Sequence, residues 1–270
     1  MASGIAEVCA LAGHAVLVRT RSESAAEAVE AAVDRHLDGR VRRGEFDADE
    51  RASVRARLRV TTELEELYDR QIVIESVVED LEVKRHLFAA LDRVVAPEAL
   101  LASNTSTLPV VALAAATSHP ERVLGIHFFN PVARLRLVEV VRSLVVSEEA
   151  LGRAEEFVRG LGKEPVVVAD EPGFVVNALL FPYLNNAVRL LERGVASMED
   201  IDRAMTLGAN YPMGPFALLD LVGIDVAVAI LGRLYAETGD PAMLAASTLR
   251  RMQEAGFLGR KSGRGFYTYS

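Results

Sequence analysis

Short apolar runs alternate with longer amphipathic segments through the first two thirds of the chain, and nothing else in the sequence restricts the fold as much. "HAVLV", "QIVIESV", "ALLASN", "RVLGIHFF", "RLRLVEVVR" and "EPVVVAD" have the length and β-branched content of strands. Between them lie helical patterns: "IAEVCALAG" closing on Gly13, a charged stretch from Ser22 to Gly44, "VEDLEVKRHLFAALDRVV", the short "PVVALAAA", and Ser147 to Leu161. Such βα alternation predicts an α/β domain, a mostly parallel sheet with helices on both faces.

The texture changes at Glu171, Pro172 and Gly173, a turn-rich junction. Beyond it no convincing strand occurs until the last few residues. Helices are predicted over Phe174–Glu192, Ser197–Leu207 with Ser197 as N-cap, Gly214–Leu234 and Ala242–Ala255. Two domains follow, an α/β domain over 1–171 and a smaller all-helical domain over 172–270. Half of the 270 residues are apolar, enough for a sizeable core in each.

A Rossmann-type domain opens with a strand, then G-x-G-x-x-G/A, then a helix whose N-terminus receives a pyrophosphate. "MASGIAEVCALAGHAVLV" reads as the end of that motif, the first helix and the second strand, with Ala2 where the third glycine or alanine would sit. The first strand and the first two glycines are not in it. Two expectations compete: a chain shortened relative to a working enzyme, or an impaired cofactor site. At the end of the second strand, dinucleotide enzymes that use NAD carry an acid for the ribose. Here "VRTRSE" places Thr20 there, flanked by Arg19 and Arg21. A carboxylate would repel a ribose 2′-phosphate and a guanidinium would bind it, so the expectation leans to NADP over NAD. Solvated arginines would give the same pattern.

Before "HFFNP", Arg122 to Ile126 reads as a short buried strand that delivers His127 and Asn130 at its end, where an open α/β sheet keeps its ligands. Twelve residues on, alternation in "RLRLVEVV" puts Leu135, Leu137 and Glu139 on one face. A carboxylate on an apolar face needs a partner, and His127 is the candidate. A histidine held by a carboxylate has a fixed tautomer and a second nitrogen free to take a proton. His14, His36, His86 and His119 lack such a setting and read as structural or surface residues. "SNTST", Ser103 to Thr107 and including Asn104 and Ser106, offers hydroxyls and amides to a substrate oxygen or a nicotinamide, or caps the helix starting at Pro109; both can hold. Asn177 is the one polar residue in the apolar opening of the first helix past the junction.

The formal charge of −8 argues against general affinity for nucleic acid or an anionic membrane. A single cysteine, Cys9, cannot form an internal disulfide, and no Cys/His spacing suggests a metal. No run approaches the roughly 18 apolar residues of a membrane span, and "ASGIAEV" after Met1 is not a signal segment. These features point to a cytoplasmic protein.

"SGIAEV", "VVEDLEVKRHLFAALD", "ASNTSTLPV", "GIHFFNPV", "LVEVV", "PGFVVNALLFPYLNNAVRLLERGVAS", "DIDRAMTLGANYPMGPFALLDLVGID" and "GRKSGRGFYTY" follow one another from end to end. In these motifs the chain resembles the 3-hydroxyacyl-CoA dehydrogenase family, in particular its short bacterial 3-hydroxybutyryl-CoA dehydrogenases. The resemblance implies that His127 is the general base for the substrate's 3-hydroxyl and that Glu139 orients it. It implies further that Ser106 and Asn177 hydrogen-bond the reacting oxygen, that Asn130 helps position the site, and that Glu79 and Lys84 lie near the cofactor. Hydride would pass between C3 of an acyl-CoA and the nicotinamide. For the phosphates of CoA, "GRVRRGEF" with Arg40, Arg42 and Arg43 is the densest cationic segment, although a solvated face would look the same. The family's helical domain commonly forms a homodimer, which suits "FALLDLVGIDVAVAIL". The departures are the first strand with its glycines, and Thr20 in place of an acid. Two other readings stay open: a hydroxy-acid dehydrogenase of the gulonate type on the same fold, and a non-catalytic protein that binds CoA esters.

Overall fold

The computed structural model describes residues 1–269, which form two compact units, Met1–Asp170 and a second that begins at Glu171. In the first, the chain runs α1 (Ala2–Leu11), β1 (Val16–Arg19), α2 (Glu23–Arg42), α3 (Ala48–Ala56), β2 (Leu58–Thr61), β3 (Ile72–Glu75), α4 (Leu81–Val94), β4 (Leu100–Ser103), α5 (Val110–Ala114), β5 (Val123–Phe128), β6 (Leu137–Arg142), α6 (Glu148–Gly160) and β7 (Glu164–Ala169). Its helix starts are written in the sequence. Ser22 accepts from the Ala25 amide, Asp80 from Val83 and Ser147 from Ala150, and Asp47 with Glu50 forms a capping box at α3.

The strands form two sheets. β1 pairs in parallel with β2, and a five-stranded sheet has the order β3-β4-β5-β6-β7, parallel at every step except β5–β6. Among the described residues no strand precedes α1, and β1 and β3 each leave one edge unpaired by another strand. The larger sheet's core packs Leu100, Leu124, Ile126, Val138 and Val140 against Ile5 and Val8 of α1 and Leu151, Ala154 and Val158 of α6. A second cluster joins Ala6 and Ala10 of α1 to Val33 and Leu37 of α2 and Leu58 of β2. Within β5, Gly125 faces Val141 of β6 so closely that an added Cβ would lie 2.6 Å from the valine Cβ.

The second unit is helical: α7 (Val176–Glu192), α8 (Met198–Gly208), α9 (Pro215–Val222), α10 (Ile224–Thr238) and α11 (Ser247–Glu254). Its core gathers Phe181, Leu184 and Val188 of α7 with Phe216, Leu219, Ile224, Leu231 and Leu249. Three polar side chains tie it together, Asn185 and Asp220 buried and Asp202 partly so. Asn185 donates to the Ala242 and Leu244 carbonyls and accepts from the Ala246 amide; Asp202 accepts from Phe216 and Ala217 at the start of α9; Asp220 accepts from the Phe266 and Tyr267 amides. Among the described residues no single helix is long and apolar enough to cross a membrane; most apolar side chains of α9 and α10 serve this core, while Leu221 and Val226 are exposed.

Four expectations need correction. α3 and β2 are additional to the predicted elements. Gly214–Leu234 is two helices bent by 95° at Gly223, whose φ of 108° a side chain would resist. Ala242–Ala255 is a short 3-10 turn at Pro241–Met243 followed by α11, because the carbonyls of Ala242 and Leu244 face Asn185. Leu135 lies outside β6 and is exposed, so the shared face begins at Leu137.

Candidate active site

Antiparallel pairing of β5 with β6 sets His127 directly opposite Glu139. Both are buried, at 4% and 1% exposure. Nδ1 of His127 lies 2.8 Å from Oε2 of Glu139, and Nε2 lies 3.2 Å from Oγ of Ser106. A carboxylate only accepts, so the Nδ1 proton points to Glu139 and Nε2 of the neutral ring is the acceptor. The Phe129 ring, tilted at a centroid distance of 4.5 Å, packs on the imidazole. The arrangement is a carboxylate–imidazole–hydroxyl line at the C-terminal end of β5, able to accept a proton at Nε2 and stabilise the resulting cation.

Ser106 is placed by a second chain of contacts. Oε1 of Glu79 accepts from the Thr105 hydroxyl at 2.6 Å and from the Ser106 and Thr107 amides at 2.9 and 3.3 Å. Lys84 bridges Glu79, at 3.1 Å, and both oxygens of Glu75, at 2.9 Å. Glu75 in turn accepts from the Ser103 hydroxyl and the Val77 amide. Burial pushes the Glu79 carboxyl upward, but the Lys84 charge and the donors from Thr105 and Ser106 outweigh it and hold the group below its ordinary value. Asn104 accepts from the Phe128 amide at 2.8 Å and donates to Ser76, tying the loop to the ends of β5 and β3. The helix α5 takes its cap from elsewhere: Asp170 accepts from the Val110 and Val111 amides. "SNTST" therefore shapes the site and does not cap that helix.

Ala2, Arg19, Thr20 and Arg21 line a cavity of about 600 Å³ that runs between β1 and β3. Arg19 spends its Nε on the Thr62 carbonyl, and Thr20 donates to Ser22. The C-terminal mouth of this cavity suits a dinucleotide. α1 begins there without a side-chain cap, so its leading amides suit a pyrophosphate, and Arg19, Thr20 and Arg21 line the same cavity. Lys84, fully buried between two carboxylates, holds Glu79 in place rather than presenting its ammonium to solvent.

Arg42 is exposed, Arg43 pairs with Glu45, and Arg40 with Glu7 and Glu45, so carboxylates offset much of that basic segment. Asn130 is exposed beyond β5, joined to Pro131 by a cis peptide. Asn177 belongs to the second unit, buried in the first turn of α7. Among the described residues no group of His, Cys, Asp or Glu could hold a metal ion. Glu75 and Phe129 were not singled out from sequence. A glutamate inside the apolar run "QIVIESV", nine residues before a lysine in the next helix, was the available signal.

Known proteins place this geometry in a family. Residues 1–171 match the model of the 3-hydroxyacyl-CoA dehydrogenase NAD binding domain, and residues 173–269 that of the 3-hydroxyacyl-CoA dehydrogenase C-terminal domain. A 3-hydroxybutyryl-CoA dehydrogenase of Mycobacterium tuberculosis is 51% identical over all of this chain and 95% of its own length; one of Clostridioides difficile is 41% identical over all of this chain and 96% of its own. The crystal structure of M. tuberculosis FadB2 superposes with a TM-score of 0.97 at 50% identity, covering 99% of this chain and 95% of that one. That of (S)-3-hydroxybutyryl-CoA dehydrogenase PaaH1 from Ralstonia eutropha gives 0.95 at 40% identity, covering 100% and 95%. With an NAD binding domain and a C-terminal domain matched in order, the chain belongs to the 3-hydroxyacyl-CoA dehydrogenase family.

Proposed function

We propose that the protein is a dehydrogenase that interconverts 3-hydroxyacyl-CoA, with 3-hydroxybutyryl-CoA as the favoured substrate, and 3-oxoacyl-CoA. The observation that carries this reading is the Glu139–His127–Ser106 line at the end of β5. A nicotinamide cofactor, when bound, supplies the hydride acceptor. Nε2 of His127 takes the proton of the 3-hydroxyl as C3 gives up its hydride, and Glu139 stabilises the imidazolium so formed. The Ser106 hydroxyl, within reach of the same nitrogen, hydrogen-bonds the reacting oxygen and keeps it in line. In the reverse direction the imidazolium returns the proton to the 3-oxo oxygen. The family likeness gives Asn177 a hydrogen bond to that oxygen and Asn130 a positioning part. It also gives Arg42 and Arg43 the CoA phosphates; these assignments rest on the likeness and on residue type.

Thr20 between Arg19 and Arg21 supports NADP as the preferred dinucleotide within an NAD-type domain. Exposed Leu179 and Leu207 on the helical unit support a homodimer, which sedimentation would test. The single, unpaired Cys9 supports work in the cytoplasm.

The test follows nicotinamide absorbance with acetoacetyl-CoA and NADH or NADPH. It uses the chain as it stands, the chain carrying an added N-terminal strand and glycine turn, and the His127→Gln variant of each. Turnover that His127→Gln abolishes supports the assignment. Equal rates with free acetoacetate would favour the gulonate-type reading. Binding of acetoacetyl-CoA without turnover in either form would favour the non-catalytic one.

A further inference from the structure

Gly39 lies buried in the last turn of α2, where glycine costs a helix stability relative to alanine. Backbone conformation does not call for it: the left-handed turn that ends this helix falls on Gly44, with a φ of 70°. What covers Gly39 does. A Cβ built there would lie 3.3 Å from Nη1 of Arg43 and 3.7 Å from Nη2 of Arg42. Beyond its chain neighbours and the helix's own backbone it would meet nothing else within 4 Å.

Side chains on a helix lean toward its N-terminus, so the residues three and four positions on, here Arg42 and Arg43, fold back over one patch. A side chain at position 39 would occupy that patch. With glycine there, two guanidinium nitrogens come within about 7 Å of one another, although like charges repel. The charges around them leave this pair available. Arg51 and Arg55 of α3 are engaged by Asp34, Asp38 and Glu30 of α2, and Arg40 by Glu7 and Glu45. Glu45 also accepts from Arg43, at 2.6 Å, but from Nε and not from the Nη1 that lies over Gly39. Among the described residues no ion pair holds Arg42.

We infer that Gly39 is a positioning residue for phosphate: by leaving the last turn of α2 bare, it lets Arg42 and Arg43 close together on one phosphate group of the CoA substrate. A tetrahedral phosphate accepting from one nitrogen of each, at roughly 2.8 Å, fits the span between them. This rests on the assignment of Arg42 and Arg43 to the CoA phosphates, and adds that the two act as a unit whose spacing residue 39 sets. A larger side chain at 39 therefore strengthens the helix and weakens the ligand, two effects of opposite sign.

The experiment is calorimetric titration of the whole chain with acetoacetyl-CoA and its dephospho analogue, beside melting temperatures, for wild type, Gly39→Ala, Gly39→Leu and Gly152→Ala. Gly152 lies inside α6 with nothing within 4 Å of an added Cβ, and so controls for helix propensity. Alanine and leucine are strong helix formers, so all three variants should melt about 1–4 °C above wild type. Acetoacetyl-CoA should bind about threefold more weakly to Gly39→Ala and about tenfold or more to Gly39→Leu, and unchanged to Gly152→Ala. If the dephospho analogue is indifferent to residue 39, the group held is the 3′-phosphomonoester; if it shows the same graded loss, the group is the diphosphate, and either result supports the inference. In an Arg42→Gln, Arg43→Gln background, Gly39→Leu should cost nothing further. Unchanged affinity in Gly39→Leu would overturn the inference, as would a loss that persists in that background or that follows a fall in melting temperature. Failure of the underlying reading looks different: the arginine double variant would then bind acetoacetyl-CoA as tightly as wild type does, and the inference would fall with it.

Discussion

Replacing Lys84 by Met should lower the melting temperature of the first unit by about 10 °C. The ammonium is 1% exposed and the Glu75 carboxylate 0%, with both oxygens at 2.9 Å and Glu79 at 3.1 Å. At 2.9 Å and an effective dielectric of about 20, Coulomb attraction alone is about 6 kcal/mol. Desolvation of the pair opposes much of it, but removing one partner does not restore water to the other. The cost of stranding a buried charge in this way is about 3–5 kcal/mol. Each kcal/mol corresponds to about 2–4 °C in a domain of this size. Methionine fills the space of the lysine stem, so the loss reports charge and not a cavity.

The pH dependence has a definite sign. The Glu79 carboxyl is held below its ordinary value of 4.5, so its contribution is present above that pH and lost as pH falls through the lower folded-state value. In Lys84→Met the cation that outweighs burial is gone. Wild type and variant should therefore converge on acidification below pH 4.5 and diverge toward neutrality. Differential scanning calorimetry across that range reads both effects. A drop of less than about 2 °C at neutral pH, or a gap that widens in acid, would refute the reasoning.

Glu139→Gln should reduce kcat by about a hundredfold or more with KM little changed, because the amide keeps the contact but cannot stabilise the imidazolium; steady-state kinetics with acetoacetyl-CoA checks it. Gly125→Ala should cost about 1–3 kcal/mol by pressing on Val141, and Val141→Ala in the same chain should recover part of the loss in a denaturant titration. Thr20→Asp should shift the NADP/NAD ratio of kcat/KM toward NAD; an unchanged ratio would remove the part given to Arg19 and Arg21.

Legibility from sequence followed how local each cause was. Apolar runs and N-cap residues lie next to what they control, so β3 to β7 and the starts of α2, α6 and α8 could be placed, while α4 begins at Leu81, three residues after the expected Val78. His127 and Glu139 could be paired because a carboxylate on an apolar strand leaves few ways to satisfy it. α3 and β2 escaped because "ADERASVRA" and "LRVT" carry charges that hide their thin apolar stripe, which is buried only where Val54 and Leu58 meet α1 and α2. The break at Gly223 escaped because α9 and α10 are both apolar and their periodicity runs across it. Glu75, Asp170 and Asn185 act on backbone or side chains far away in sequence, and no local pattern announces such a partner.

The reversal of direction between β5 and β6 has a consequence for how this site tolerates insertions and deletions. His127 and Glu139 face each other through ladder pairing, not through the residues 129–136 that link their strands. Lengthening or trimming that link leaves the frame of the pairing untouched. One residue gained or lost between Leu137 and Glu139 turns the glutamate to the opposite face of the sheet. The acid–base pair is thus locked in frame by the ladder, so a change of length that spares Phe129 on the imidazole and Val132 in the core leaves the proton-transfer geometry fixed.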